Sequence, residues 1–202
     1  MEITEEQKKA FQEKLANMSP EERANFIQEI QKKATEQCIF CKIVRGEIPA
    51  RKVFETEDTL AFLDIKPVNP GQVIVIPKKH YTVLPQIPDQ ELAMLSLVVK
   101  RVAAAVFEAT NAEGVMITQL NGAAAGQVIP HVHFYVIPRY GNDKMENSWP
   151  TQELTDEQFV NIQKAIISKL GVVAKEKPKE EQKEEKIEKE DEGKYEFKPR
   201  LP

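Results

Sequence analysis

Ile129-Pro130-His131-Val132-His133-Phe134-Tyr135-Val136-Ile137-Pro138-Arg139 places two of the chain's three histidines two positions apart inside an apolar run. The run predicts a strand over Val132–Pro138. Side chains alternate along a strand, so His131, His133 and Tyr135 share one face and Val132, Phe134 and Val136 the other, with same-face neighbours about 6.6 Å apart. The apolar face belongs against a core. The opposite face lines up two imidazoles and a phenol directly after the loop Asn121-Gly-Ala-Ala-Ala-Gly-Gln-Val-Ile-Pro130, which carries Gly122 and Gly126. Glycines permit the tight and left-handed turns that aim successive N–H groups at one anion, so this combination suggests imidazoles facing a phosphate. Neutral imidazole is a good nucleophile at phosphorus near neutral pH and a good leaving group afterwards. Taken alone, His-x-His is more often a packed or metal-binding pair.

Working outward, Val53–Glu55, Leu60–Ile65 and Gln72–Pro77 read as strands separated by the turn signals Glu57-Asp58-Thr59 and Asn69-Pro70-Gly71. Pro88-Asp89 opens a long helix in which Leu92, Leu95, Val98, Val99, Val102 and Val106 recur at three and four, ending before Gly114. A strand over Val115–Leu120 precedes the glycine loop. Upstream, residues 4–18 and 19–36 read as a helical hairpin, the second helix capped by Ser19-Pro20-Glu21-Glu22 and carrying Phe26, Ile27 and Ile30. That modest apolar stripe is expected to pack on the main domain or its partner subunit, or else to bind another protein. Thr155-Asp156-Glu157-Gln158 starts a last helix that stops at Gly171. The segment after it mixes both signs of charge with almost no apolar residues and is expected to lack order, and the ending Tyr195-Glu-Phe-Lys-Pro-Arg-Leu-Pro202 is a frayed tail or a short docking peptide. The expected domains are therefore an N-terminal helical extension (1–37), a central domain (38–173) and a charged tail (174–202).

The charge is concentrated at both ends, so the 41% hydrophobic content leaves one sizeable core in the middle. A net charge of −4 offers no broad basic field for a nucleic-acid backbone, and any nucleotide is expected as a small ligand. No apolar run approaches the roughly 20 residues of a membrane span, and the charged N-terminus does not read as a secretory signal. A cytoplasmic protein is expected. Two cysteines, Cys38-Ile-Phe-Cys41, cannot build a secreted disulfide framework, and in a reducing compartment their spacing means metal or redox chemistry.

Three segments, Cys38–Glu55, Leu60–Tyr81 and Asn121–Arg139, together resemble the histidine triad (HIT) family of nucleotide hydrolases and transferases, in its zinc-binding Hint-like branch. The resemblance implies an α+β fold, a five-stranded antiparallel sheet with a long helix and a C-terminal helix, that dimerises. It places the nucleophile at His133, which would form a covalent nucleotidyl-histidine, and an orienting or metal-binding role at His131. Asp64 falls on the ribose-binding acid. Phe40, Ile43, Phe62, Leu63 and Ile65 fall on the wall of the base pocket, and Asn121, Gly126, Gln127 and Val128 on the phosphate loop. Many relatives carry Ser or Thr where Val128 stands, which leaves only its backbone N–H.

Tyr135 occupies the third histidine position. A phenol with a pKa near 10 donates a hydrogen bond but does not shuttle a proton at neutral pH. Cys38, Cys41, His80 and His131 match the ligands of zinc-binding relatives, a two-cysteine, two-histidine set that closes a structural tetrahedron. A redox reading of Cys38 and Cys41 needs a βαβ context, whereas a loop leading into a strand is expected there. The implied function is hydrolysis of a purine nucleoside 5′-monophosphate conjugate, a phosphoramidate or dinucleoside polyphosphate, releasing AMP or GMP. Two other readings stay open: a nucleotide-binding or scaffold protein, and a nucleotidyl transferase using phosphate as acceptor.

Overall fold

Five antiparallel strands form the sheet: β1 (Lys52–Glu55), β2 (Thr59–Leu63), β3 (Val73–Pro77), β4 (Gly114–Gln119) and β5 (Phe134–Arg139), in the spatial order β1-β2-β3-β5-β4. This computed structural model of the chain describes residues 9, 13, 16–145 and 150–170. β3 and β5 are central, and a strand buried on both sides reads as an unbroken apolar run, which is what Val73–Pro77 is. The register pairs Val75 with Phe134 and Val73 with Val136. It stops there because the chain before Phe134 leaves the sheet: the Val132 N–H donates to the Tyr81 carbonyl at 2.6 Å and the His131 N–H to the Ile129 carbonyl at 2.8 Å. The strand expected from Val132 therefore begins two residues later, although the alternation of faces continues through the histidines.

Each face of the sheet has its own core. On one, Ala61, Val73, Val75, Val132 and Val136 pack against helix α3 (Asp89–Thr110), whose Leu95, Val98, Val99, Val102 and Val106 form the buried stripe expected from their spacing. Asn111, in the left-handed conformation at φ 50°, ends α3 three residues before Gly114. The turn into β3 is pressed against that helix end, since Gly71 sits at φ +96° and a Cβ there would collide with the Thr110 methyl. On the other face, Leu60, Phe62, Ile74 and Ile76 pack against the short helix α2 (Ile39–Val44), which contributes Phe40, Cys41 and Ile43.

The cysteines therefore sit at a helix rather than in a loop leading to a strand. Cys38 ends helix α1 (Pro20–Gln37), donating its N–H to the Ala34 carbonyl at 3.0 Å, and begins α2. Cys38 alone, in an extended conformation, separates the two helices, its carbonyl accepting from the Lys42 N–H at 3.1 Å. The capping box expected at Ser19 and Glu22 is present on both sides, the Ser19 N–H donating to Glu22 Oε2 at 2.8 Å and the Glu22 N–H to Ser19 Oγ at 3.2 Å. No α1 residue is buried, and Ile27 and Ile30 stay exposed. The helix expected over 4–18 lies, apart from residues 9, 13 and 16–18, outside the described residues.

The chain divides into two compact units, Met1–Glu146 and Asn147–Pro202. The first holds α1 together with the sheet. The second contains helix α4 (Asp156–Leu170), opened by Thr155, whose N–H donates to Gln158 Oε1 at 2.8 Å while its hydroxyl accepts from the Gln158 N–H. The charged tail expected over 174–202 lies outside the described residues. Among the described residues no helix is long and apolar enough to cross a membrane.

Candidate active site and metal centre

Cys38, Cys41, His80 and His131 bring one ligand atom each to within 4.8 Å of one another. Cys38 Sγ lies 3.4 Å and Cys41 Sγ 3.6 Å from His131 Nδ1, and Cys41 Sγ lies 3.3 Å from His80 Nδ1. A tetrahedron with metal–ligand bonds of about 2.0–2.3 Å has edges of roughly 3.3–3.8 Å, so these separations fit a zinc-sized ion at the centre. His131 Nε2–H donates to the Pro77 carbonyl at 2.9 Å, which fixes the tautomer and leaves the Nδ1 lone pair facing the sulfurs. Burial lowers the His131 pKa to about 4, so the imidazole is neutral and able to ligate at neutral pH. Burial and the neighbouring Cys38 push the Cys41 thiol up to about 12. A thiol so reluctant to ionise is a poor redox nucleophile, and a bound cation is the natural way to ionise it. His80 Nε2 is buried with no hydrogen-bond partner.

His133 stands on the same face, 2% exposed. Its Nδ1–H donates to the His131 carbonyl at 2.7 Å, so the lone pair resides on Nε2, for which no hydrogen bond exists among the described residues. Burial lowers the His133 pKa, opposed by the His131 carbonyl and the Asp64 carboxylate. The ring is held edge-on by Phe40, centroids 5.3 Å apart, and by Tyr135 at 4.9 Å. Burial, then Asp64, raises the Tyr135 phenol above its usual value. The site thus holds one neutral imidazole with an aimed lone pair and one phenol that stays protonated.

Of the expected base-pocket wall, Phe40, Ile43 and Phe62 are buried together in the α2-side core. Leu63 is not with them: the strand period turns its side chain to the α3 side, against the other core. Ile65 is 82% exposed, because the chain leaves β2 at Leu63 and turns, so it is not part of a closed wall. Asp64 follows β2, its Oδ1 accepting from the Lys66 N–H at 2.8 Å and its Oδ2 from Gln72 Nε2 at 2.7 Å.

The glycine loop is built by side chains holding its own backbone. Gln127 Oε1 accepts from the Gly122 N–H at 2.7 Å, and Gln127 Nε2 donates to the Thr82 carbonyl at 2.7 Å and the Ile129 carbonyl at 3.1 Å. Asn121 Oδ1 accepts from the Leu84 N–H at 2.8 Å, while its Nδ2 donates to Gln119 Oε1 at 2.6 Å. Gly122 and Gly126 take φ +82° and +88°, as expected of positions that must turn left-handed. Val128 is 89% exposed, and its N–H has no acceptor among the described residues. Asn121 and Gln127 are therefore scaffolding as much as candidate ligands.

Several supporting groups were not singled out from the sequence. Gln72, 3% exposed, holds Asp64 and also accepts from the Val68 N–H, and Gln119 holds Asn121. The carbonyls of Pro77 and His131 set both histidine tautomers. A glutamine opening an otherwise apolar strand was the one available signal; backbone carbonyls leave none.

The fold and site define a class of α+β domain in which a histidine pair leads into the inner strand β5 after a glycine loop, next to a Cys2His2 cluster. Within that class a model of the HIT domain matches residues 45–142. The chain is 49% identical over 106 residues to the HIT-like protein MJ0866 of Methanocaldococcus jannaschii, covering 52% of this chain and 81% of the relative. It is 37% identical over 134 residues to adenosine 5′-monophosphoramidase hnt1 of Schizosaccharomyces pombe, covering 66% and 98%. Among solved structures, a HIT family member from Bacillus subtilis superposes with a TM-score of 0.64 at 36% identity, covering 67% of this chain and 99% of that one. A zinc-bound histidine triad family protein from Mycobacterium smegmatis gives 0.53 at 34%, covering 67% and 96%. The chain belongs to the HIT family.

Proposed function

We propose that the protein hydrolyses a purine nucleoside 5′-monophosphate conjugate at its α-phosphorus through a covalent intermediate on His133. The observation that carries this reading is the hydrogen bond from His133 Nδ1–H to the His131 carbonyl, which leaves the Nε2 lone pair of a neutral imidazole as the free nucleophile. Attack forms the P–N bond as the leaving group departs with its electron pair. The His131 carbonyl then accepts from a ring whose positive charge has grown, a charge-assisted bond stronger in the intermediate than before it. Water next adds to phosphorus, loses its proton to solvent, and the P–N electron pair returns to Nε2, releasing AMP or GMP. The S. pombe relative's name, an adenosine 5′-monophosphoramidase, supports this class of reaction.

In this reading the Val128 N–H donates to a phosphate oxygen, Phe40, Ile43 and Phe62 bound the base, and Asp64 accepts from the ribose hydroxyls, pre-aligned by Gln72. Zinc would be held by Cys38, Cys41, His80 and His131, supplying a closed structural centre that ties α2 to the segment carrying the nucleophile. Among the described residues the outer edge of β4 pairs with no strand, which supports assembly of two copies into one sheet. A cytoplasmic location is part of the same reading.

The test is release of AMP or GMP from such conjugates by the purified protein beside His133→Ala. Turnover lost in the variant is the expected result. Tight nucleotide retention without turnover in the unaltered protein would favour a binding module, and a nucleoside diphosphate formed on adding phosphate would favour a transferase.

A further inference from the structure

Cleaving the bond from phosphorus to its leaving group delivers an electron pair to the departing atom. A sulfate, carboxylate or phosphate oxygen keeps that pair as a stable anion; an amine nitrogen leaves only if it gains a proton. The proton donors around His133 therefore decide which conjugates react.

Tyr135 is the next residue on the His133 face of β5, edge-on to the imidazole at 87° with centroids 4.9 Å apart. Its cross-strand neighbours are Ile74 on β3 and Thr118 on β4, neither of which titrates near neutral pH. Phe40 covers the imidazole from α2. His131 has its N–H committed to the Pro77 carbonyl and its other nitrogen to the cysteines. Asp64 is the carboxylate that acts electrostatically on both rings, and its two oxygens already accept from Lys66 N–H and Gln72. The phenol beside the nucleophile thus keeps its proton across the neutral range, offering a hydrogen bond to a departing oxygen without surrendering the proton.

Resting on the hydrolase reading, we propose that Tyr135 sets leaving-group specificity: the protein cleaves nucleotidyl conjugates whose departing group is a stable oxyanion and is slow on those whose departing amine must be protonated. The group that leaves takes the P–O electron pair, the phenol's hydrogen bond stabilises the charge appearing on it, and no proton changes hands until water enters.

The zinc-loaded full chain is assayed on adenylyl sulfate, adenosine 5′-(4-nitrophenyl phosphate) and adenosine 5′-phosphoramidate, beside Tyr135→His, Tyr135→Phe and His133→Ala. Expected is a kcat/KM about 100-fold or more higher for the sulfate than for the phosphoramidate, as befits absent general-acid help. Tyr135→His should raise the phosphoramidate relative to the two oxygen-leaving substrates and flatten the dependence of rate on leaving-group pKa, a slope that a merely structural residue would not change. Tyr135→Phe should slow the two oxygen-leaving substrates by a larger factor than the phosphoramidate, narrowing the ratio between them. Equal rates for sulfate and phosphoramidate in the unaltered protein, or variants that move all three substrates alike, would overturn the inference while leaving the hydrolase standing. Cleavage surviving in His133→Ala, or none by the unaltered protein, would overturn the hydrolase reading and this inference with it.

Discussion

Two sides of one segment, residues 131–137, are equally buried and differ in what holds them. Val132 and Val136 are 0% exposed on the α3 side; His131 and His133 are 0% and 2% exposed on the α2 side. The valines are satisfied by shape alone, packed among Val73, Val75 and the α3 stripe. Each histidine instead has a directional partner: the Pro77 carbonyl for one, the His131 carbonyl for the other. Burial by itself therefore says nothing about function; an imidazole kept dry with one nitrogen tied and the other left over does. The same dryness that costs a histidine its charge gives it the lone pair that chemistry or a metal needs.

That contrast can be broken at several points. The largest effect belongs to His133→Ala, expected to lower kcat/KM per folded molecule by at least about a thousand-fold, and to lower the thermal midpoint as well, because the buried imidazole packs against Phe40 and Tyr135 and its loss leaves a cavity. Next, removing zinc with a chelator, or replacing Cys38 or Cys41 by alanine, should lower the thermal midpoint strongly and reduce turnover with it, read by calorimetry and metal analysis on the same sample. Val136→Ala, on the other side, should cost about 2 kcal/mol in denaturant unfolding with turnover per folded molecule preserved.

The smallest effect is on pH. The His133 pKa is lowered, so its protonated, non-nucleophilic form accumulates only below the ordinary histidine value of 6.5, and kcat/KM should hold a plateau through neutral pH and fall as pH drops past that point. In the metal-free protein stability moves the same way through His131: folded it titrates at about 4 and unfolded near 6.5, so the unfolded chain binds more protons between those values and stability declines as pH falls through that window. A rate plateau extending only above pH 7 would sink the lowered nucleophile.

Much of this was readable before the structure. The α3 stripe, the Ser19 capping box and the five strands follow from residue types at fixed spacing, because period and capping are local properties, whereas the four candidate metal ligands come from the resemblance to zinc-binding relatives. What escaped depends on partners distant in sequence. The β5 start slipped to Phe134 because Val132 bonds Tyr81 rather than β3, and nothing in Ile129–Arg139 announces that. Leu63 packs on the α3 side rather than with Phe40, Ile43 and Phe62, and Ile65, beyond the end of β2, stands exposed, so neither shares the buried core of those three. In the α1 stripe Ile27 and Ile30 stay exposed, and the cysteine pair sits at the start of a helix because α2 begins directly after the extended Cys38 that ends α1.

The central claim is that His133 Nε2 carries the nucleotide. It is tested most directly by quenching the full-length protein in acid-free denaturant during single turnover of a conjugate and locating the adduct by peptide mass spectrometry. The account predicts a nucleotidyl group on His133, appearing and decaying at rates compatible with turnover and absent in His133→Ala. Turnover with no protein-bound nucleotide, or an adduct on another residue, would contradict it.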